Sequence, residues 1–401
     1  MRKSAIILAA FALTACTAKA PLSLRVVESE MTRFPEASYI DGLEGKLKWN
    51  YTTGLELKAM LDVYEMADQV GHDVRHSRLD RESILSYVDA WYDAIIDSTG
   101  RIYKYKKSNY STDHVCPGRT LFQLYDMTGK EKYRAAMDTL YSQLQIQPRT
   151  PEGNFWHKAV YPNQVWLDGL YMAQPFYAEY TRRYVTDSLQ REKNYGDIVL
   201  QFSTAYDKTF DPSTGLLRHA YDASREMFWC DSQTGQSAHA WGRAIGWYVM
   251  ALVDVMEIIP EEAYRVHLKG ILNNVYEALP RYADPETGLW YQVLDCPSRE
   301  GNYLEATCNA MFVYAWLKGC RLGALKGREE ALKAYDSLLA TFVREDEDGL
   351  VNLNRCCEVA GLGGKQNRKG DYDYYIHEPV RSNDPKGIGP LIWAALEREK
   401  L

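Results

Sequence analysis

The sequence predicts an all-α fold, an (α/α)6 barrel in which six helical hairpins close into a toroid with short extended turns at one mouth. Three observations predict it. A turn signal recurs at Asp97-Ser98-Thr99-Gly100, Pro151-Glu152-Gly153, Asp211-Pro212-Ser213-Thr214-Gly215, Asp284-Pro285-Glu286-Thr287-Gly288 and Asp346-Glu347-Asp348-Gly349, with successive glycines 53, 62, 73 and 61 residues apart. Each turn leads into a short extended segment, such as Ile102-Tyr103-Lys104-Tyr105 or Leu289-Trp290-Tyr291-Gln292. Between turns, residues recur at helical spacing, and each interval has room for two helices.

In chain order, Arg2 and Lys3 precede an apolar run from Ala5 to Leu13 that is too short to span a bilayer but suits an export signal. The run ends in Leu13-Thr14-Ala15-Cys16, which resembles a bacterial lipoprotein processing box that would leave Cys16 lipidated at the mature N-terminus. Residues 1–16 therefore read as a lipoprotein signal peptide, 17–35 as a tether and 36–401 as the barrel. The chain is expected to be exported, periplasmic or membrane-anchored, touching the membrane only through its lipid.

Within the barrel, Asp or Ser favours each turn's start and Gly suits its positive φ. Helical spacing is clear in Leu121, Leu124, Tyr125 and Thr128, and again in Trp247, Met250, Ala251, Asp254 and Val255. Five units carry the turn, and a less regular sixth is left to the two ends of the chain. An open solenoid would show a more regular period and polar capping helices, so closure is favoured. Closure brings the extended segments to one mouth, with Tyr103, Tyr105, Trp156, His157, His219, Trp290 and Tyr291 around it.

A net charge of −7 without dense Lys/Arg clusters argues against nucleic acid as a partner. The chain carries 30 Tyr and 10 Trp against 10 Phe, so most of its aromatic residues have a polar tip as well as an apolar face, a combination suited to sugars and equally to helix packing. Beyond Cys16, seven cysteines with no C-x-x-C pair match neither a disulfide framework nor a zinc site. No metal and no cofactor is expected, and most thiols should be free and buried.

Asp113 and Asp168 lie 13 and 15 residues after the glycines of successive turns, so they occupy comparable places and should face each other across the mouth. Pro162 suits a helix start, with Asp168 within two turns on an aromatic helix, where an unpaired acid is expensive. The structural alternative makes Asp168 a helix-end acid and Asp113 a cap before Pro117. A second cluster, Ser237-Ala238-His239-Ala240-Trp241-Gly242-Arg243-Ala244-Ile245-Gly246-Trp247-Tyr248, follows His219. Its glycines permit close backbone approach, Arg243 offers a fork for a carboxylate and its tryptophans offer stacking faces, as an anionic-sugar cradle needs. A buried helix start with an internally paired Arg fits it as well. His72, His76, His114 and His267 have no such context and read as structural or solvated.

Trp49-Asn50-Tyr51-Thr52-Thr53-Gly54, Thr112-Asp113-His114-Val115, Phe155-Trp156-His157-Lys158, Val165 through Met172, Trp241-Gly242-Arg243 with Gly246-Trp247-Tyr248, and Asn383 through Pro390 together resemble glycoside hydrolase family 105, the unsaturated rhamnogalacturonyl hydrolases. The resemblance runs from about Trp49 to the C-terminus. Ala244-Ile245 departs from the family pattern, which bears on fine substrate preference. The resemblance implies the (α/α)6 barrel and, as substrate, a lyase-generated oligosaccharide ending in a 4,5-unsaturated uronic acid. It implies Asp168 as proton donor and Asp113 as its ionised companion. Tyr51, His157, Lys158, Trp166, His219, Trp241, Arg243 and Trp247 would bind the sugar, with Arg243 on the uronate and His157 and Lys158 competing for that role. Two enzymatic alternatives stay open: an unsaturated glucuronyl hydrolase acting on other acidic oligosaccharides, and a polysaccharide lyase on a related toroid. An inactive sugar-binding lipoprotein and a helical scaffold are the non-enzymatic ones.

Overall fold

The computed structural model describes residues 19–66 and 79–401. The export signal, Cys16, His72 and His76 lie outside them. No described helix is long and apolar enough to cross a membrane.

Six helices form a closed inner ring: α2 (Tyr51–Met66), α4 (Gly118–Thr128), α6 (Leu167–Tyr184), α8 (Gly242–Ile258), α10 (Ala306–Arg321) and α13 (Pro385–Glu399), each packed on the next and α13 back on α2. Outside them run α1 (Leu22–Arg33), α3 (Arg81–Ile95), α5 (Glu131–Leu144), α7 (Ser188–Thr209), α9 (Glu262–Ala278) and α11 (Arg328–Phe342). The sequence accounts for this sorting. Every residue of α8 from Gly242 to Met256 is buried, as a helix apolar on all sides must be, whereas α7 buries a single stripe.

The sixth hairpin does come from the chain's ends, because α1 packs outside α13. This corrects the tether read over 17–35. Leu22–Arg33 is a helix with Leu24, Val26 and Val27 buried, and Ser23 binds Glu399 through both its amide and its hydroxyl. Its apolar stripe is short and interrupted by charge, so it reads as linker until α13 supplies a surface to cover.

All five recurrent turns are present. Gly100, Gly153, Gly215, Gly288 and Gly349 adopt positive φ. Each turn closes a miniature hairpin between an outer helix and the next inner one, through the bridges Ile96↔Ile102, Arg149↔Phe155, Phe210↔Leu217 and Ala283↔Trp290 and through β3 (Val343–Glu345) paired with β4 (Val351–Leu353). The six inner N-termini therefore share one end of the barrel. Their partial positive charges make that end favourable for anions.

Candidate active site

The two acids arrive by different local routes. Asp113 sits in a 3-10 turn, Thr112–His114, ahead of α4. Asp168 occupies the first turn of α6, which starts at Leu167 rather than near Pro162. The delay has a cause. Gln164–Trp166 is β1, paired antiparallel with β2 (Ala220–Asp222). The pairing continues as Leu167 N–H donates to the His219 carbonyl at 3.1 Å, which brings Asp168 and His219 side by side. Asp168 Oδ2 lies 3.3 Å from His219 Nε2.

Asp113 is held by Lys158, whose Nζ is 2.5 Å from Oδ2, and by His157, whose Nε2 is 3.5 Å from Oδ1. Burial would raise the Asp113 carboxyl, but Lys158 and His157 outweigh it and hold it below the ordinary carboxylate range. Burial pulls His157 down to about 4, so its imidazole is neutral at pH 7. His157 stacks on Trp166 at 4.7 Å, and Trp166 meets His219 edge-on at 5.4 Å. Gly169 allows this packing: a Cβ there would come within 3.0 Å of His157 Nδ1.

Tyr51, at the start of α2, joins the two halves. Burial pushes its phenol well above the usual range, with Asp113 and Asp168 adding to the rise and Arg243 opposing it. Trp247 is buried beneath, edge-on to Tyr51 at 6.3 Å and 4.8 Å from Tyr171, so it supports Tyr51 from below instead of offering an open face. Trp241 packs 4.7 Å from the His219 ring and donates its indole N–H to Gln292.

Arg243 is 1% exposed. Its Nη2 binds the Cys357 carbonyl and lies 3.4 Å from Glu305 Oε1, and its Nη1 reaches the Glu358 carbonyl at 3.4 Å. The fork expected for a uronate is thus largely committed to the protein. Gly242 and Gly246 do permit close approach, but to α10: a Cβ at Gly246 would lie 2.7 Å from Met311.

A cavity of about 580 Å³ opens on the Asp113 side of the site, and Asp168, His157 and His219 are not part of its lining. Tyr51, Asp113 and Lys158 line it, together with His114, Lys48, Arg381 and Lys386, which the sequence reading did not single out. Lys386 belongs to the Asn383–Pro390 motif and was legible there. His114 was dismissed as contextless, although it follows Asp113 directly. Trp290 and Tyr291, expected at the mouth, serve their own turn: Trp290 donates to the Leu279 carbonyl from the core, and Tyr291 binds Asp284. His267 lies elsewhere, bonded to Ser203.

All seven described cysteines are unpaired, with Cys116, Cys308, Cys356 and Cys357 buried. His239, Asp295 and Cys296 bring ligand-type atoms within 4.8 Å of one another. Asp295 Oδ2, however, already holds Arg218 at 2.7 Å and His239 at 3.0 Å, so its charge is answered by a guanidinium.

Residues 22–401 match the family described as Glycosyl Hydrolase Family 88. A solved glycoside hydrolase from family 105 of C. acetobutylicum ATCC 824 is 43% identical, with 95% of this chain and 100% of that chain covered and a TM-score of 0.86. The chain belongs to this 88/105 glycoside hydrolase family. A curated relative of the family 88/105 enzyme is the unsaturated rhamnogalacturonyl hydrolase YesR of Bacillus subtilis (strain 168), 26% identical over 76% of this chain and 78% of that protein. A solved unsaturated glucuronyl hydrolase specific for heparin shares the toroid at 13% identity, with 94% of this chain and 96% of that chain covered and a TM-score of 0.63. That last likeness is one of fold alone. The family 88/105 chain is thus an all-α glycoside hydrolase acting on an oligosaccharide.

Proposed function

We propose that this glycoside hydrolase removes the terminal 4,5-unsaturated uronic acid from lyase-generated pectic oligosaccharides of the rhamnogalacturonan type. Asp168 delivers a proton to C4 of the enol ether, and positive charge develops at C5 beside the ionised Asp113. Water adds at C5 while Asp168 takes up its proton, and the resulting hemiketal opens and expels the neighbouring sugar. Bond cleavage follows from hydration, so the spacing rule for paired glycosidase carboxylates does not govern it.

The observation that carries this reading is the pairing of unlike carboxyls. Asp113 is held ionised by Lys158, while Asp168 forms no ion pair with a Lys or Arg among the described residues and faces His219 across 3.3 Å. For the substrate carboxylate the cavity offers Lys48 and the positive helix ends, while Lys158, Arg381 and Lys386 are paired with Asp113, Asp41 and Asp384. The relative named an unsaturated rhamnogalacturonyl hydrolase supports the pectic substrate.

The test is loss of enol-ether ultraviolet absorbance from unsaturated disaccharides prepared from several acidic polysaccharides. The rhamnogalacturonan product should be consumed fastest, and Asp168→Asn should lower turnover by about 10² to 10⁴ with the fold intact. Turnover by that variant at the wild-type rate would remove Asp168 from the mechanism. New absorbance in an intact pectic polymer would make the protein a lyase instead.

A further inference from the structure

Behind the Asp168–His219 pair stands a third residue that carries no motif. Tyr375 lies on α12 (Tyr372–His377), in the segment between β5 (Cys356–Cys357) and β6 (Val380–Arg381). Its hydroxyl is 2.7 Å from His219 Nδ1, and both side chains are fully buried. His219 Nδ1 is the sole hydrogen-bond partner of that hydroxyl among the described residues.

The ring is locked in place from several sides. Asp371 caps α12 by accepting from Tyr374 N–H, and Tyr372 donates to the carbonyls of Arg299 and Glu300. Gln292 donates to the Tyr375 carbonyl at 3.2 Å while accepting from the Trp241 indole, and Trp241 stacks on Tyr375 at 5.9 Å. Burial keeps the Tyr375 phenol protonated. A phenol with one partner, and that partner an imidazole nitrogen, is satisfied by donating to it.

We propose that Tyr375 is a positioning residue that fixes the tautomer of His219, placing the proton on Nε2, 3.3 Å from Asp168 Oδ2; neither of these two buried atoms has a hydrogen-bond partner among the described residues, so each is free to serve the other as the proton moves. This rests on the assignment of Asp168 as proton donor and deepens it. With its proton on Nε2 and Nδ1 taken by the phenol, His219 cannot accept the acid's proton, which stays on Asp168 and available to the sugar. Once that proton has moved to C4, the Nε2–H stabilises the carboxylate that remains. A bare Nε2 would do the reverse, drawing the acid's proton away from the substrate.

The test pairs Tyr375→Phe with nitrogen NMR of ¹⁵N-histidine-labelled protein, the His219 signals being assigned from a His219→Gln sample. Free wild-type protein should show His219 protonated at Nε2 and bare at Nδ1, and Tyr375→Phe should show the two tautomers mixed. The variant should lose about tenfold or more in kcat with KM nearly unchanged, because the phenol does not touch substrate. A wild-type His219 protonated at Nδ1, an unchanged tautomer in the variant, or a rise in KM with kcat intact would each overturn the assignment. If wild-type protein leaves every unsaturated uronide untouched, the proposed function falls, while the tautomer measurement still decides the role of Tyr375.

Discussion

Lys158 gives Asp113 its charge. Burial raises that carboxyl, and the cation 2.5 Å away reverses the effect. Replacing Lys158 by Met leaves burial as the dominant influence, so Asp113 should take up a proton at higher pH than in the wild type. The acid limb of the kcat/KM profile should move upward accordingly. A limb that stays in place would separate activity from the ionisation of Asp113. Arg243 shows how little a residue's type says about which group it meets. Its guanidinium suits a carboxylate, and it found one, but that carboxylate is Glu305, which also caps α10 by accepting from Cys308 N–H. No spacing rule separates a fork that meets ligand from a fork that meets protein.

At the level of helices, α1 and α2 bury two carboxyls together. Glu30 and Glu56 are both 0% exposed, and neither Glu56 oxygen has a hydrogen-bond partner among the described residues. Burial raises Glu30 to about 7, against the pull of Arg33 at 2.5 Å, and it raises Glu56 as well, with Glu30, Asp41 and Asp384 adding like charge. An acid whose proton is held more tightly in the folded state stabilises the fold at low pH, and that contribution is lost as pH rises through its folded value. Thermal midpoints should therefore fall between about pH 4.5 and 7. Glu56→Gln should flatten that fall and be the more stable protein at pH 8. Parallel curves for the two proteins would show that the pair does not govern the pH dependence. The Glu30 side of this pair comes from a helix that composition alone read as tether, so the pairing was invisible before α1 was seen against its neighbours.

The barrel as a whole has unlike ends. One carries six helix N-termini and the cavity beside Asp113, lined by lysines, an arginine and carboxylates. The other holds a cavity of about 310 Å³ lined by an ionic cluster in which Asp254, 3% exposed, accepts from Arg119 at 2.7 Å, Tyr314 at 2.6 Å and Lys318 at 2.8 Å. Asp254→Asn removes the carboxylate that Arg119 pairs with and leaves Lys318 to Glu257 at 2.7 Å, and it should cost about 3 kcal/mol in urea unfolding at pH 7, with turnover in the folded protein little changed. A cost below about 1 kcal/mol would show that the cluster is dispensable. The architecture was legible because turns and helices are local: an Asp-to-Gly turn and a 3.6-residue period are written in neighbouring residues. So was the neighbourhood of the site, since Asp113 and Asp168 follow successive turns at similar intervals and His157 and Lys158 stand in the extended segment just after the second. The partners that decide what each group does come from far along the chain, Glu305 for Arg243, Tyr375 for His219 and α13 for α1. Sequence alone determined the repeat of turns and helical hairpins and where Asp113 and Asp168 stand in it. Only closure of the ring decided who meets whom there, because contacts across a toroid are set by the packing of six helices and leave no periodic trace in any one of them.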